Sequence, residues 1–205
     1  MKILRAGAKD TDIFSKAELA FGACCFFSEN REYKYFFEIE GRNAVLRSDT
    51  DKYISEAIDE FLFYSGFIVE IKDCSGRILF EKKQNEPYLY DISKIQPSQF
   101  YISQGKLENC KKWISGNEDI FIPIVIKDET AISLDGHTRL RAALDLGYTC
   151  VYVYPEECDE MIFHFVDEAI KRRITNVFHM DILSDEEYEI KWNKFCEDFF
   201  NSQAE

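Results

Sequence analysis

The sequence predicts an α+β fold, with a small α+β subdomain over residues 1–86, a compact α/β domain over 87–155 and a helical extension over 156–205. Three observations carry this prediction. Strand-like apolar runs such as Phe121 to Ile126 alternate with stretches whose apolar residues recur at helical spacing. The polar stretch Glu81-Lys-Lys-Gln-Asn-Glu-Pro87 has the composition of a connector between two halves. The apolar segment Ile132 to Leu134 runs through an acid, a glycine and a histidine straight into the helix Thr138 to Gly147.

In chain order, a helix is expected from Asp12 to about Phe27. Tyr33 to Ile39 and Asn43 to Arg47, joined around Gly41, have the pattern of a β-hairpin. Ser48, Asp49 or Thr50 then caps an amphipathic helix whose inner face is Tyr53, Ile54, Ala57, Ile58, Phe61 and Leu62, with Gly66 at its end. Phe67 to Ile71 and Arg77 to Glu81 flank an Asp73-Cys-Ser-Gly76 turn. In the second half, Tyr90 to Pro97 contains a short strand stopped by proline, and Leu107, Cys110, Trp113 and Ile114 give a short helix its inner face. Phe121 to Ile126 and Thr130 to Leu134 are strands around a turn at Asp128-Glu129; the Thr138 helix follows, and Cys150 to Tyr154 returns as a strand. Two helices close the chain. One carries the stripe Met161, Ile162, Phe165, Val166, Ala169, Ile170, and the other opens on the capping-box pattern Ser184-Asp-Glu-Glu187.

Composition narrows the function classes. No apolar run reaches the roughly 18 residues that span a bilayer, and the first ten residues lack a secretory apolar core, so a cytoplasmic protein without a membrane partner is expected. The seven cysteines include no C-x-x-C pair, which points to reduced thiols, not zinc, and no metal-ligating set is assigned. Residues 1–90 hold 13 Lys and Arg against 16 Asp and Glu, and residues 91–205 hold 12 against 22. The second half thus carries −10 of the net −13, a charge that disfavours duplex DNA as a partner. Residues 1–86 show no chemical constellation and are assigned a structural or protein-binding role.

The chemistry concentrates at Asp135-Gly136-His137-Thr138-Arg139. Backbone N–H groups at a helix start attract anions, glycine permits close approach to the main chain, and His137 and Arg139 add donors, as a phosphate site requires. The competing reading is a plain strand-to-helix turn with Asp135 or Thr138 as N-cap. Arg141 and Asp145 are read as surface residues, and His164 and His179 as structural.

Together "DISKIQPSQFYIS", "IPIVI" and "ISLDGHTRLRAALDLGYTCVYVY" resemble the ParB/sulfiredoxin-like superfamily over roughly residues 89–155, in the form of stand-alone bacterial ParB-like proteins with a helical C-terminal extension. The resemblance implies a compact α/β domain that holds a nucleoside triphosphate, ATP or CTP with Mg2+, at this helix start. It further implies phosphate or cofactor contacts from Gly136, His137, Thr138 and Arg139, pocket-lining roles for Ser98 and Gln99, and a catalytic role for Asp135 in metal binding or phosphoryl transfer. Three departures restrict the activity. No cysteine stands between Gly136 and His137, as sulfiredoxins require; acidic segments replace the basic helix-turn-helix domain of partition proteins; and Gln99 and Gln104 stand where serine kinases place a glutamate base. The expected function is nucleotide binding with phosphoryl transfer to a small molecule. The alternatives are a non-catalytic nucleotide-dependent regulatory module and a ParB-like DNA-binding or nuclease protein.

Overall fold

The computed structural model describes residues 1–7, 9–19, 24–83 and 86–203. It has an α+β fold and divides into two units, Met1–Gln84 and Asn85–Glu205.

The first unit contains β1 (Ile3–Arg5), α1 (Lys16–Leu19), β2 (Cys25–Ser28), β3 (Lys34–Glu40), β4 (Asn43–Ser48), α2 (Ile54–Tyr64), β5 (Glu70–Asp73) and β6 (Ile78–Glu81). The strands form one six-stranded sheet in chain order, antiparallel throughout except where α2 carries the chain from β4 to a parallel β5. Alternation along β2 serves two cores: Phe26 joins a cluster with Phe37 and Phe61, while Cys25 and Phe27 pack with Ala6 and Phe14. The Phe37 and Phe61 rings stack 4.0 Å apart, 3° from parallel, and this contact ties α2 to the sheet.

Two expectations fail here. The helix from Asp12 to Phe27 is reduced to Lys16–Leu19, with residues 20–23 outside the described set, and Cys25–Ser28 is a strand. Every residue of that strand is buried, so its continuous apolar run fits a strand covered on both faces and needs no helical period. Nor do Ser48, Asp49 or Thr50 cap α2. The N-cap is Tyr53, left-handed at φ 54°, with no side-chain cap.

The second unit contains β7 (Tyr88–Asp91), β8 (Ile95–Pro97), β9 (Tyr101–Ser103), α3 (Gln104–Trp113), β10 (Phe121–Lys127), β11 (Thr130–Ser133), α4 (His137–Asp145), β12 (Cys150–Pro155), α5 (Met161–Lys171), β13 (Asp181–Leu183), α6 (Asp185–Tyr188) and α7 (Lys194–Gln203). The main sheet has the order β7-β12-β10-β11-β8, with β12 parallel to β10 and β11 parallel to β8, and β9 pairs separately with β13. The single strand expected near Tyr90–Pro97 is therefore two, separated where the Asp91 carboxylate accepts the Ser93 N–H at 2.9 Å and starts a 3-10 turn. Ser103 caps α3 by accepting the Lys106 N–H, and Gly147, at φ 89°, terminates α4 with its N–H on the Leu144 carbonyl. The two closing helices are α5 and a segment in which α6 passes through a five-residue π-turn, Glu189–Asn193, into α7. Both pack into the core of this unit: Phe165 of α5 and Trp192, Phe195 and Phe199 surround one another and Phe100.

Candidate ligand-binding site

The parallel strands β8 and β11 end side by side, and this register brings Ser98, one residue past β8, against Ser133 at the end of β11. The Ser98 hydroxyl donates to the Ser133 carbonyl at 2.8 Å. Four residues beyond Ser133, the first residue of α4 places the His137 ring between the two serines. Its Nε2 accepts the Ser98 backbone N–H at 3.1 Å and lies 3.0 Å from Ser133 Oγ. A nitrogen that accepts a backbone N–H carries no proton, so the ring is neutral with its hydrogen on Nδ1. Burial, His137 being only 5 % exposed, pushes its pKa down to about 4; the neighbouring Arg139 adds to this and Asp135 opposes it. Nδ1 has no hydrogen-bond partner among the described residues, and the ring lines a cavity of about 510 Å³.

Gly136 is the N-cap of α4, left-handed at φ 81°, and no side chain caps the helix. Neither Asp135 nor Thr138 therefore takes the capping role of the plain-turn reading; Thr138 is half-buried in the first turn. The tight approach expected at Gly136 is made by the protein itself: a Cβ there would stand 2.7 Å from Ile122 Cδ1 and 3.1 Å from Arg139 Nη2. Arg139 turns back beneath the junction, donating from Nη1 to the Phe121 carbonyl at 2.8 Å and from Nη2 to Asp135 at 2.9 Å. Its side chain is 12 % exposed, and it is not among the lining residues of the cavity. Asp135 lines the rim with its side chain 71 % exposed. The partial desolvation of its concave surroundings opposes ionisation, but Arg139 and the Gly136 N–H outweigh it and hold the carboxyl below the usual range.

Of the sequence-predicted residues, Ser98, Gln99, Asp135 and His137 meet at the cavity, while Gly136, Thr138 and Arg139 shape the turn behind it. Gln99 donates both amide hydrogens, to the Tyr101 carbonyl at 2.8 Å and the Tyr188 hydroxyl at 2.7 Å, leaving Oε1 as the atom it can offer a ligand. Tyr188 sits in α6, so the C-terminal segment orients this side chain. The same segment supplies an apolar wall from Trp192, Cys196 and Phe200, opposite Met161, Ile162 and Phe165 of α5.

Sequence reasoning missed this wall, because its aromatic residues carry the same helical-period signal as core. It also missed the acidic loop after β12, where Glu156, Glu157 and Asp159 line the cavity. With Asp135 that makes four lining carboxylates among the described residues, none of whose Lys or Arg side chains lines the cavity. Asp145, read as surface, is exposed, and Arg141 is half-buried; the two pair at 3.0 Å, Asp145 also pairs with Lys111, and Arg141 reaches the Met180 carbonyl. The seven cysteines are all free; Cys24, Cys25 and Cys110 are buried, whereas Cys158 and Cys196 reach the cavity. Among the described residues no cluster of three His, Cys, Asp or Glu could hold a metal ion, and no helix is long and apolar enough to cross a membrane.

The chain matches no family model and no curated protein. Among solved structures it is similar to the crystal structure of protein Atu1540 from Agrobacterium tumefaciens, at 16 % identity and a TM-score of 0.35, covering 47 % of this chain and 62 % of that one.

Proposed function

We propose that the cavity at the start of α4 binds a nucleoside triphosphate with Mg2+ and serves phosphoryl transfer to a small molecule. The observation that carries this reading is His137: a buried, neutral imidazole whose unpartnered Nδ1–H belongs to a cavity at an uncapped helix start. Such a donor, at a helix start where the backbone dipoles leave partial positive charge, is suited to a phosphate oxygen. The resemblance of residues 89–155 to the ParB/sulfiredoxin-like superfamily supports the same assignment.

The acidic lining then makes the cation necessary. Without a lining Lys or Arg among the described residues, a triphosphate would need its charge offset by a divalent ion held mainly by the phosphates themselves, and a lining carboxylate such as Asp159 or Glu157 would supply a further oxygen to it. Asp135, at the rim, is the group for the acceptor. As the acceptor hydroxyl oxygen bonds to the γ-phosphorus and the bond from that phosphorus to the β-phosphate oxygen breaks, the hydroxyl proton passes to the Asp135 carboxylate. The apolar wall of Trp192 and Phe200 receives the ring system of the nucleotide.

A thermal-shift series with ATP, ADP, CTP and GTP, each with Mg2+, tests the reading. At a hundredfold excess over Kd, a bound nucleotide adds ~2.7 kcal/mol and raises Tm by a few degrees. His137→Asn should remove most of that gain. No shift with any of the four at millimolar concentration would refute nucleotide binding, and ADP release in the presence of small hydroxyl compounds separates an enzyme from a regulatory module.

A further inference from the structure

We propose that this cavity also takes an organic ammonium ion with an apolar body. Its role as the small molecule of the reaction rests on the nucleotide reading; its binding does not.

A ligand entering this cavity meets Glu156, Glu157 and Asp159 on one loop and Asp135 at the end of another, with no Lys or Arg in the lining among the described residues. Only Asp135 among Asp135, Glu157 and Asp159 is ion-paired within the described residues; Asp159 accepts the Met161 N–H at 2.8 Å, a contact that leaves its charge in place. Glu157 and Asp159 thus carry charge that no ion pair offsets among the described residues, and such charge favours cations over uncompensated anions. The remaining lining is apolar and aromatic, from Phe165, Trp192 and Phe200 among others. Aromatic faces attract an ammonium group through their quadrupole while binding its hydrocarbon portion by contact, so the two kinds of wall select the same molecule.

Polar groups inside the cavity sharpen the choice. Gln99 has both amide hydrogens committed to protein acceptors, so its contribution is a fixed acceptor, suited to an N–H of the ligand. The Nδ1–H of His137 is a donor that calls for an acceptor atom, and in the nucleotide reading that atom is a phosphate oxygen. Donor and acceptor groups thus meet within one cavity of about 510 Å³, where the ammonium group is drawn to the acidic residues.

Three molecules with one body and three charges decide the matter: phenethylamine, 2-phenylethanol and phenylacetate, titrated by calorimetry near neutral pH without nucleotide. Phenethylamine should bind saturably, the alcohol more weakly and phenylacetate not at all. The double variant Glu157→Gln, Asp159→Asn removes two charges and keeps an oxygen for the Met161 N–H. It should weaken phenethylamine about tenfold and leave the alcohol unchanged. Equal or tighter binding of phenylacetate, no saturable binding of phenethylamine, or equal weakening of the amine and the alcohol in the variant would each overturn the proposal. Because no nucleotide is present, a failure of Mg-ATP to stabilise the protein leaves this result standing, and the reverse also holds.

Discussion

Because a backbone N–H donates to His137 Nε2, protonating the ring means breaking that hydrogen bond inside a buried site, and the fold itself becomes sensitive to pH. The unfolded chain binds this proton near pH 6.5, whereas the folded chain resists it to about 4. Between those values the unfolded state holds more protons, so stability is complete above the upper one and is lost as pH falls toward the lower one. The whole interval corresponds to ~3 kcal/mol. Carboxylates held below their usual range, such as Asp135, contribute to a separate, more acidic window. Urea unfolding at pH 7 and pH 5 should show wild type losing stability that His137→Asn does not lose; equal losses in the two proteins would show that the ring is not held neutral. The string Asp135-Gly136-His137-Thr138-Arg139 made the helix start legible in the sequence to within one residue, His137 for Thr138, but did not reveal the left-handed backbone at Gly136. The direction of Arg139 was not legible, because a guanidinium beside a helix start can face a ligand or its own strand. The choice is made by the Phe121 carbonyl, 18 residues away in sequence.

Elements were legible where one periodicity prevailed and illegible where burial on both sides erased it. The stripe of α5 and the alternation of β3 and β4 can be read directly, whereas Cys24-Cys25-Phe26-Phe27 is apolar at every step and fits a helix or a doubly covered strand. The C-terminal segment shows the same limit on function. Its capping box is plain in Ser184-Asp-Glu-Glu187, and the structure has both reciprocal contacts, Ser184 Oγ accepting the Glu187 N–H and Glu187 accepting the Ser184 N–H. The π-turn that follows carries no sequence mark, yet it includes Trp192 of the cavity wall, and such turns recur at functional sites. A helix start that positions both Tyr188 and Trp192 links local capping to the cavity. Ser184→Ala should cost about 1 kcal/mol in urea unfolding. Hydrogen exchange should speed up first in residues 185–193, and exchange unchanged there would mean that packing alone holds the segment.

Every strand pairing among the described residues closes within one unit: the six-stranded sheet uses strands from Ile3 to Glu81, and the five- and two-stranded sheets use strands from Tyr88 to Leu183. The hydrophobic clusters divide in the same way. Those around Phe26 and Phe14 contain no residue past Phe80, and the one around Ile92 and Phe165 contains none before Tyr90. A unit of about 120 residues buries enough of its surface to fold alone, and all the cavity-lining residues belong to the second unit. Residues 86–203 expressed by themselves should thus unfold cooperatively, give a dispersed amide spectrum and bind phenethylamine as the full chain does. The charge distribution agrees with that independence: the −10 carried by residues 91–205 includes the four lining carboxylates, so the proposed preference for a cation draws on no charge of the first half. A collapsed spectrum from residues 86–203, with the full chain well dispersed under the same conditions, would mean that the second core depends on the first unit despite sharing no strand with it.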